Sequence, residues 1–288
     1  MMCQEGVVSL KSYCGTAGGI LLITVPQVYY EIVPAIWGAI LWGPLLYFAI
    51  LNMALPLIWK FNNPSYQIAV RSCNLGFVFA ISVLIAAFAT PNWRPFGYYG
   101  CFLSFFHYSE YLSIAWANPT TLSLDSFMLN HSLHYHIAAV TSWVEFCVET
   151  VFYPQLKCYR FMWIIGISLC IFGEVLRKLA MITARSNFNH VVQYVKNKDH
   201  KLITNGVYAY MRHPSYVGWF WWSIGTQIIL SNPICILFYT LASWKFFKDR
   251  VFIEELTLLQ FFGQDYLNYQ LQVPTGLPFI KGYEVKQQ

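Results

Sequence analysis

HKLITNGVYAYMRHPSYVG, residues 200–218, is the polar stretch that decides how this chain is arranged, because long series of apolar segments lie on both sides of it. It contains a histidine directly before a proline, His213-Pro214. A residue before proline is disfavoured in the α region, whereas proline itself is well placed in the first turn of a helix. The stretch therefore predicts a loop up to His213 and a helix that begins at Pro214.

The composition of the whole chain is that of a membrane protein. Of its 288 residues, 57% are hydrophobic and 11% are charged, which is too little charge for the surface of a soluble protein of this length. Backbone groups must pair with one another in hydrocarbon, and the apolar runs are too continuous to alternate as barrel strands. We therefore expect an all-α, polytopic integral membrane protein in a lipid bilayer. The eight cysteines form no CxxC pair, so neither a disulfide framework nor a zinc site is indicated.

Eight apolar segments are candidates for membrane spans, each of which needs about 20 residues. They cover residues 13–30, 32–59, 67–90, 96–117, 135–153, 161–182, 216–230 and 234–247. The last two are short and flank Ser231-Asn232-Pro233, which predicts a C-terminal helical hairpin; a pair of re-entrant segments is the alternative. The sequence thus predicts about eight transmembrane helices in a single membrane domain, residues 1–288.

Lysines and arginines are distributed unevenly between the predicted loops. If the N-terminus is cytosolic and every segment crosses, only Arg94, Lys157 and Arg160 fall on the opposite side of the membrane. Because positively charged loops remain in the cytosol, this asymmetry predicts cytosolic termini. It also places residues 200–218 and the polar C-terminal region on the cytosolic face.

Two groups of polar residues in the last third are candidates for a site. Arg250 and Glu254 are one helical turn apart and share a face. They are either a surface ion pair, or a guanidinium for an anionic substrate beside a carboxylate for a cationic group. The helix start at Pro214 is either a plain cap or a place where free N–H groups bind a ligand. The rings of Tyr208 and Tyr210 favour the second interpretation, since aromatic faces suit an adenine ring or a sulfonium.

Other polar clusters carry less chemistry. His131, His134 and His136 lie in one short loop without matched cysteine or carboxylate ligands, so no metal site is expected. Glu174 with Arg177 and Lys178 lies near the end of the sixth segment, where either pairing with one another or snorkelling to the interface would account for the charges. Nothing in the sequence indicates a nucleic-acid partner.

Five motifs of the C-terminal half, taken together, resemble one known family. The stretch of residues 200–218 is followed by RVFIEE (250–255) and FGQDYLNYQLQVPTGLPFI (262–280), and it is preceded by GEVLRK (173–178) and SNFNHVVQ (186–193). In combination they are similar to the C-terminal signature of the isoprenylcysteine carboxyl methyltransferases. The resemblance covers roughly residues 173–282, while the first half matches only as a series of apolar spans.

The resemblance implies which residues form the site. It implies a catalytic region over residues 131–288, behind N-terminal transmembrane helices over residues 1–130. Within that region, a segment at 190–218 would bind S-adenosylmethionine, and a segment at 248–282 would bind substrate and cofactor. Arg250 would bind the substrate carboxylate as a catalytic residue, together with Glu254. The implied cofactor contacts are Gln193, His200, Lys201, Leu202, Ile203, Tyr208, His213, Pro214, Ser215, Tyr216 and Glu254. Lys201 is a departure, because the family motif does not require lysine there.

The same resemblance implies the reaction and its setting. The substrates would be prenylated CaaX proteins such as small GTPases, ending in a farnesylated or geranylgeranylated cysteine, and the compartment would be the endoplasmic reticulum membrane. The cofactor product would be S-adenosylhomocysteine. An α-carboxylate has a reference pKa of about 3.5, so it is ionised near neutrality and direct SN2 methyl transfer to it needs no general base.

Three other functions compete with this interpretation. A phospholipid N-methyltransferase would share the cofactor region, but its amine nucleophile gains nothing from Arg250. A sterol-reducing enzyme would need a nicotinamide site, for which no glycine pattern is present. A transporter or non-catalytic receptor would carry its polar breaks near mid-membrane in matching halves, whereas the polar residues here concentrate in the last third.

Overall fold

The structure is a computed structural model that describes residues 2–29, 37–129, 132–196 and 198–283. His131 lies outside the described residues, as does the domain boundary predicted between residues 130 and 131. Within the described ranges, no three His, Cys, Asp or Glu side chains come close enough together to hold a metal ion.

The described residues form eight long helices and one short C-terminal helix, joined by loops and 3₁₀ turns. They are α1 (Gln4–Tyr29), α2 (Trp37–Ile58), α3 (Pro64–Phe88), α4 (Arg94–Ala117), α5 (Leu133–Phe152), α6 (Arg160–Ala184), α7 (Pro214–Leu230), α8 (Pro233–Phe262) and α9 (Gln264–Gln272). Strands are absent from these ranges, and the predicted all-α fold class is confirmed.

The membrane-spanning character is clear for some helices only. By length and apolar composition, Gln4–Val25 within α1 and Pro64–Phe88 could each cross a bilayer, among the residues that are described. The eight predicted segments overlap α1 to α8, but the number of membrane crossings stays a prediction.

α8 differs most from the prediction, which gave it a short span over residues 234–247. It continues to Phe262 and ends before Gly263, whose φ of 53° suits glycine. Lys245 and Lys248 end the apolar run, but lysine is a good helix former, so they do not end the helix. The site candidates Arg250 and Glu254 therefore lie within α8 and not beyond it.

The predicted hairpin of α7 and α8 is present, and a buried lysine closes its turn. The Lys157 ammonium donates to the carbonyl oxygens of Leu230 (2.8 Å) and Ser231 (3.0 Å) and to Asn232 Oδ1 (2.9 Å). On the other side of the turn, the Glu145 carboxylate accepts from the N–H groups of the second and third residues of α8, both at 2.8 Å. These bonds satisfy the end of α7 and the start of α8, which fixes the hairpin against α5.

Glycines allow α6 and α7 to pack with their backbones almost in contact. A Cβ atom at Gly173 would lie 2.4 Å from the Gly218 carbonyl oxygen, and one at Gly225 would lie 2.9 Å from the Gly166 carbonyl oxygen. The two glycines of each helix are seven residues apart and therefore face the same partner. This seam places the first turn of α7 beside Arg177 in α6.

α4 connects the two halves of the molecule. It packs with α1 and α3 in an N-terminal bundle, where the rings of Tyr13 and Tyr108 stack with their centroids 3.7 Å apart. It also contacts α6 and α7 in the C-terminal half. Side chains of α4 are thus able to reach the polar residues around the start of α7.

Candidate active site

A polar cavity lies between the loop that follows α6, the first turn of α7 and the last turns of α8. The eleven residues that the sequence predicted as cofactor contacts all line it. They are Gln193, His200, Lys201, Leu202, Ile203, Tyr208, His213, Pro214, Ser215, Tyr216 and Glu254. The structure therefore brings the predicted residues together, whereas their contacts with a cofactor stay a prediction.

The cavity has a further wall that sequence reasoning missed. Phe261 and Phe262 at the end of α8 lie edge-on to the His200 ring, with centroids 5.6 and 5.5 Å away. Tyr266 and Tyr269 of α9 line the cavity as well. The aromatic residues of the predicted C-terminal segment were the available signal, but their approach to the cavity depends on the turn at Gly263.

The loop before α7 is held in place by one buried carboxylate, Glu255. Its Oε1 atom accepts from Arg212 Nε at 2.7 Å, and His213 Nε2 lies 3.1 Å from the same oxygen. Since an ionised carboxylate only accepts, His213 must carry a hydrogen on Nε2. Burial would raise the pKa of Glu255, but hydrogen bonds and charge from His213 and Arg212 outweigh burial and lower it.

The C-terminal segment closes over the same carboxylate. The Tyr283 N–H donates to Glu255 Oε2 at 2.7 Å, and the backbone N–H groups of Arg212 and His213 donate to the carbonyls of Pro274 (2.8 Å) and Thr275 (3.2 Å). His213 has φ −124° and ψ 56°, outside the α region, and α7 begins at Pro214 as predicted. The His-Pro turn is thus fixed by contacts that are distant in sequence.

Arg250 and Glu254 are joined through the hydroxyl of Tyr216. Arg250 Nε donates to Tyr216 Oη at 3.2 Å, and the hydroxyl donates to Glu254 Oε2. A second nitrogen of Arg250, Nη2, donates to the backbone carbonyl of His190 at 2.6 Å. Of the two interpretations left open for this pair, a simple surface ion pair does not describe it, because both side chains bond to a residue of α7.

A narrow cleft links the polar cavity to an apolar groove. Arg250 and Arg177 line the cleft, which shares residues with both larger spaces. Phe188, Asn189, Ser215 and Tyr216 are shared with the polar cavity, and Trp219 and Phe246 are shared with the groove. A group held at Arg250 would therefore lie between the two spaces.

The groove is bounded by α4, α5, α7 and α8 and has a volume of about 570 Å³. Along α8 its lining runs from Phe247, one turn from Arg250, to Cys235, which spans about 18 Å at 1.5 Å per residue. Ile137 of α5 and Phe238 of α8 line the groove and are 54% and 63% exposed. The groove is thus open sideways between α5 and α8.

Comparisons with known proteins agree with this architecture. Residues 164–260 match the model of the isoprenylcysteine carboxyl methyltransferase (ICMT) family. The Protein-S-isoprenylcysteine O-methyltransferase of Xenopus laevis is 51% identical over 287 residues, 99% of this chain and 98% of the relative. The chain belongs to the isoprenylcysteine carboxyl methyltransferase family.

Further ICMT relatives support the same conclusion. The human Protein-S-isoprenylcysteine O-methyltransferase is 56% identical over 243 residues, 84% of each chain. A solved structure of the eukaryotic intramembrane Ras methyltransferase ICMT superposes with a TM-score of 0.93 at 49% identity, covering 99% of this chain and 100% of that one.

The resemblance read from residues 173–282 is confirmed, and so is the prediction of an enzyme. The likeness extends through the first half of the chain, which the motifs alone did not indicate. Likeness to an intramembrane methyltransferase, together with the apolar helices, also supports an integral membrane protein.

The ICMT fold brings one further carboxylate to the site, and it comes from α4. Glu110 is fully buried and accepts from Arg177 Nε at 2.7 Å and Nη2 at 2.6 Å. Lys178 also donates to Glu110, and Lys178 Nζ lies 3.3 Å from Glu174 Oε1. The charges of α6 thus pair with one another and with α4. A lone carboxylate inside an apolar segment was the signal for Glu110.

Proposed function

We propose that this enzyme methylates the C-terminal carboxylate of prenylated cysteine in CaaX-processed proteins, with S-adenosylmethionine as the methyl donor. The single observation that carries the proposal is the position of Arg250. It lies in the cleft between a polar cavity and an apolar groove, and Tyr216 links it to Glu254. A substrate whose C-terminal cysteine carries both a free carboxylate and a prenyl group on its sulfur fits this arrangement.

The polar cavity suits the proposed cofactor by the chemistry of its lining. Glu254 offers a carboxylate for a cationic amino group, and the aromatic rings at Tyr208, Phe261 and Phe262 suit a sulfonium or an adenine ring. The first turn of α7 adds the backbone N–H group of Ser215, which suits a carboxylate. S-adenosylmethionine would supply an activated methyl group there.

Arg250 would orient the substrate carboxylate. Its guanidinium is always charged and presents parallel N–H donors that match both oxygens of a carboxylate. The bonds to Tyr216 and to the His190 carbonyl restrict its rotation before substrate binds. The proposed transfer is a direct displacement without a general base, so alignment carries most of the catalysis, which can lower a barrier by roughly 7–11 kcal/mol in well-oriented systems.

The apolar groove would take the farnesyl or geranylgeranyl chain directly from the bilayer. Each CH₂ group favours the membrane over water by about 0.8 kcal/mol, so a site that required the prenyl chain to pass through water would bind it with a large free-energy penalty. The opening between α5 and α8, at Ile137 and Phe238, avoids this transfer.

The cellular setting belongs to the same proposal. The distribution of lysine and arginine favours cytosolic termini and a cytosolic active site, and the family resemblance favours the endoplasmic reticulum membrane. Proteins such as small GTPases, whose prenylated C-termini face the cytosol, would then be substrates.

The test is methyl transfer to a farnesylcysteine analogue by Arg250→Ala and Arg250→Lys. Both variants should lose kcat/KM, the lysine variant because a point charge lacks the planar fork. Arg71→Ala is the matched control, since Arg71 bonds Gln67 within α3. Near-normal kcat/KM in Arg250→Ala would contradict the proposed role.

Calorimetry with S-adenosylhomocysteine in detergent tests the cofactor independently of the substrate. We expect binding to the wild-type protein and weaker binding to Glu254→Gln. A wild-type protein that binds no S-adenosylhomocysteine would contradict S-adenosylmethionine as the methyl donor.

A further inference from the structure

Glu110 reaches the site from outside the part of the chain that matches the family model. That model covers residues 164–260, whereas Glu110 belongs to α4 in the N-terminal half. Besides its two bonds from Arg177, the carboxylate has His190 Nε2 within 2.9 Å of Oε2. One side chain of α4 therefore contacts both α6 and the loop that follows it.

The loop at His190 orients Arg250 through a backbone hydrogen bond. Residues 188–190 have no regular secondary structure, and the His190 carbonyl accepts from Arg250 Nη2 at 2.6 Å. The same segment is attached to α4 at a second point, where Asn118 Nδ2 donates to the Phe188 carbonyl at 3.1 Å. The Phe188 side chain is also buried in a cluster with Ile114 of α4 and Met181 of α6, and this packing together with the two bonds fixes where the His190 carbonyl lies.

We propose that Glu110 and His190 are positioning residues for the methyl transfer, through which α4 sets the orientation of Arg250. Glu110 holds the imidazole of His190, and the backbone carbonyl of His190 holds the guanidinium. Glu110 also neutralises Arg177, which lines the same cleft as Arg250. The kinetic part of this inference rests on the proposed function, whereas the structural part does not.

The decisive variants alter His190, because they leave the Glu110–Arg177 pair intact. His190→Leu removes the side-chain donor to Glu110, whereas His190→Gln retains an N–H donor. We expect His190→Leu to lower kcat at least tenfold, with a Kd for S-adenosylhomocysteine within threefold of wild type. His190→Gln should recover a substantial part of kcat. Equal kcat in His190→Leu and wild type, or no recovery in His190→Gln, would overturn the proposal.

Glu149→Gln is the matched control for Glu110→Gln. Glu149 is also a carboxylate in a largely buried pair, with Lys157 at 2.5 Å, but Lys157 lines neither the polar cavity nor the cleft, whereas Arg177, the partner of Glu110, lines the cleft. Both variants should have a lower Tm. Only Glu110→Gln should lose kcat per folded molecule, and equal kcat in the two variants would refute a positioning role for Glu110.

Hydrogen exchange tests the structural part without any turnover. In the wild-type protein and in His190→Leu, we would compare amide exchange in peptides that contain residues 188–195, with peptides from the α7–α8 turn as the internal control. Exchange should be at least tenfold faster near His190 in the variant and unchanged at the turn. Unchanged exchange near His190 overturns the inference, even if the wild-type protein methylates no prenylcysteine and the proposed function itself fails.

Discussion

Tyr216→Phe removes a single hydroxyl group, and this hydroxyl is the link between Arg250 and Glu254. The ring itself is held by packing: it stacks on His213 at 5.5 Å and on Phe247 at 5.3 Å between centroids. Phenylalanine keeps these ring contacts. The variant should therefore fold, and its defect should be confined to the orientation of the two charged side chains.

The size of the effect follows from the bonds that are lost. Arg250 Nε loses its 3.2 Å acceptor, and Glu254 loses a hydroxyl donor. Hydrogen bonds to charged groups contribute about 1.5–3 kcal/mol, and about 1.36 kcal/mol is a factor of ten in rate. If the equivalent of one such bond is lost in the transition state, kcat/KM should fall by about 10- to 150-fold.

The assay is methyl transfer to a farnesylcysteine analogue, measured beside S-adenosylhomocysteine affinity. Tyr210→Phe is the matched control, because Tyr210, unlike Tyr208, does not line the polar cavity and its ring is 77% exposed. We expect the control to equal wild type. A Tyr216→Phe enzyme within twofold of wild-type kcat/KM would refute the claim that the hydroxyl organises the site.

The remaining predictions concern stability, measured as Tm of the detergent-solubilised protein. The pKa of Glu255 is lower in the folded protein than its reference value of 4.5, so the ionised carboxylate stabilises the fold fully above pH 4.5 and loses this contribution as the pH falls through the folded pKa. The difference in Tm between the wild-type protein and Glu255→Gln should therefore be constant from pH 7 to 5 and shrink at more acidic pH. A difference that grows on acidification would contradict this. Lys157→Met leaves a buried carboxylate and carbonyls unpaired and should cost about 3–5 kcal/mol, so an unchanged Tm would argue against the pairing. Phe279 has a φ of 60° and is 95% exposed. Because a left-handed backbone conformation costs a non-glycine residue about 1–2 kcal/mol, the Phe279→Gly variant should have a higher Tm than Phe279→Ala. The opposite order would show that no such strain exists.

The start of α7 at Pro214 was predictable because its cause is local. Proline at the first turn marks the beginning of α3, α7 and α8. The length of α8 could not be predicted from its apolar residues alone. Lysines mark the point where the helix leaves the hydrocarbon of the membrane, whereas the helix itself ends where its backbone is interrupted. Gly263 was the more reliable signal, and Arg250 and Glu254 lie between these two limits.

The candidate site divides in the same way. The motifs named eleven residues that line the polar cavity, most of them in one nearly continuous stretch, but not the aromatic wall at Phe261, Phe262, Tyr266 and Tyr269. They did not indicate Glu110, which is 67 residues from Arg177 and belongs to an otherwise unremarked helix. They also assigned no role to Glu255, whose role follows from five groups that converge on it from the loop before α7, from α9 and from the C-terminal segment.

By itself, then, the sequence determined an all-α membrane enzyme, the start of α7 and eleven residues that line the polar cavity, because composition, proline geometry and short motifs act locally along the chain. Only the tertiary structure decided how those residues act together. The close packing of α6 on α7 brings Arg177 beside Ser215, and Tyr216 joins Arg250 to Glu254. A buried charge without a partner is strongly destabilising, and the partner can come from any part of the chain that the fold brings close. For Arg177 that partner is Glu110 of the N-terminal half.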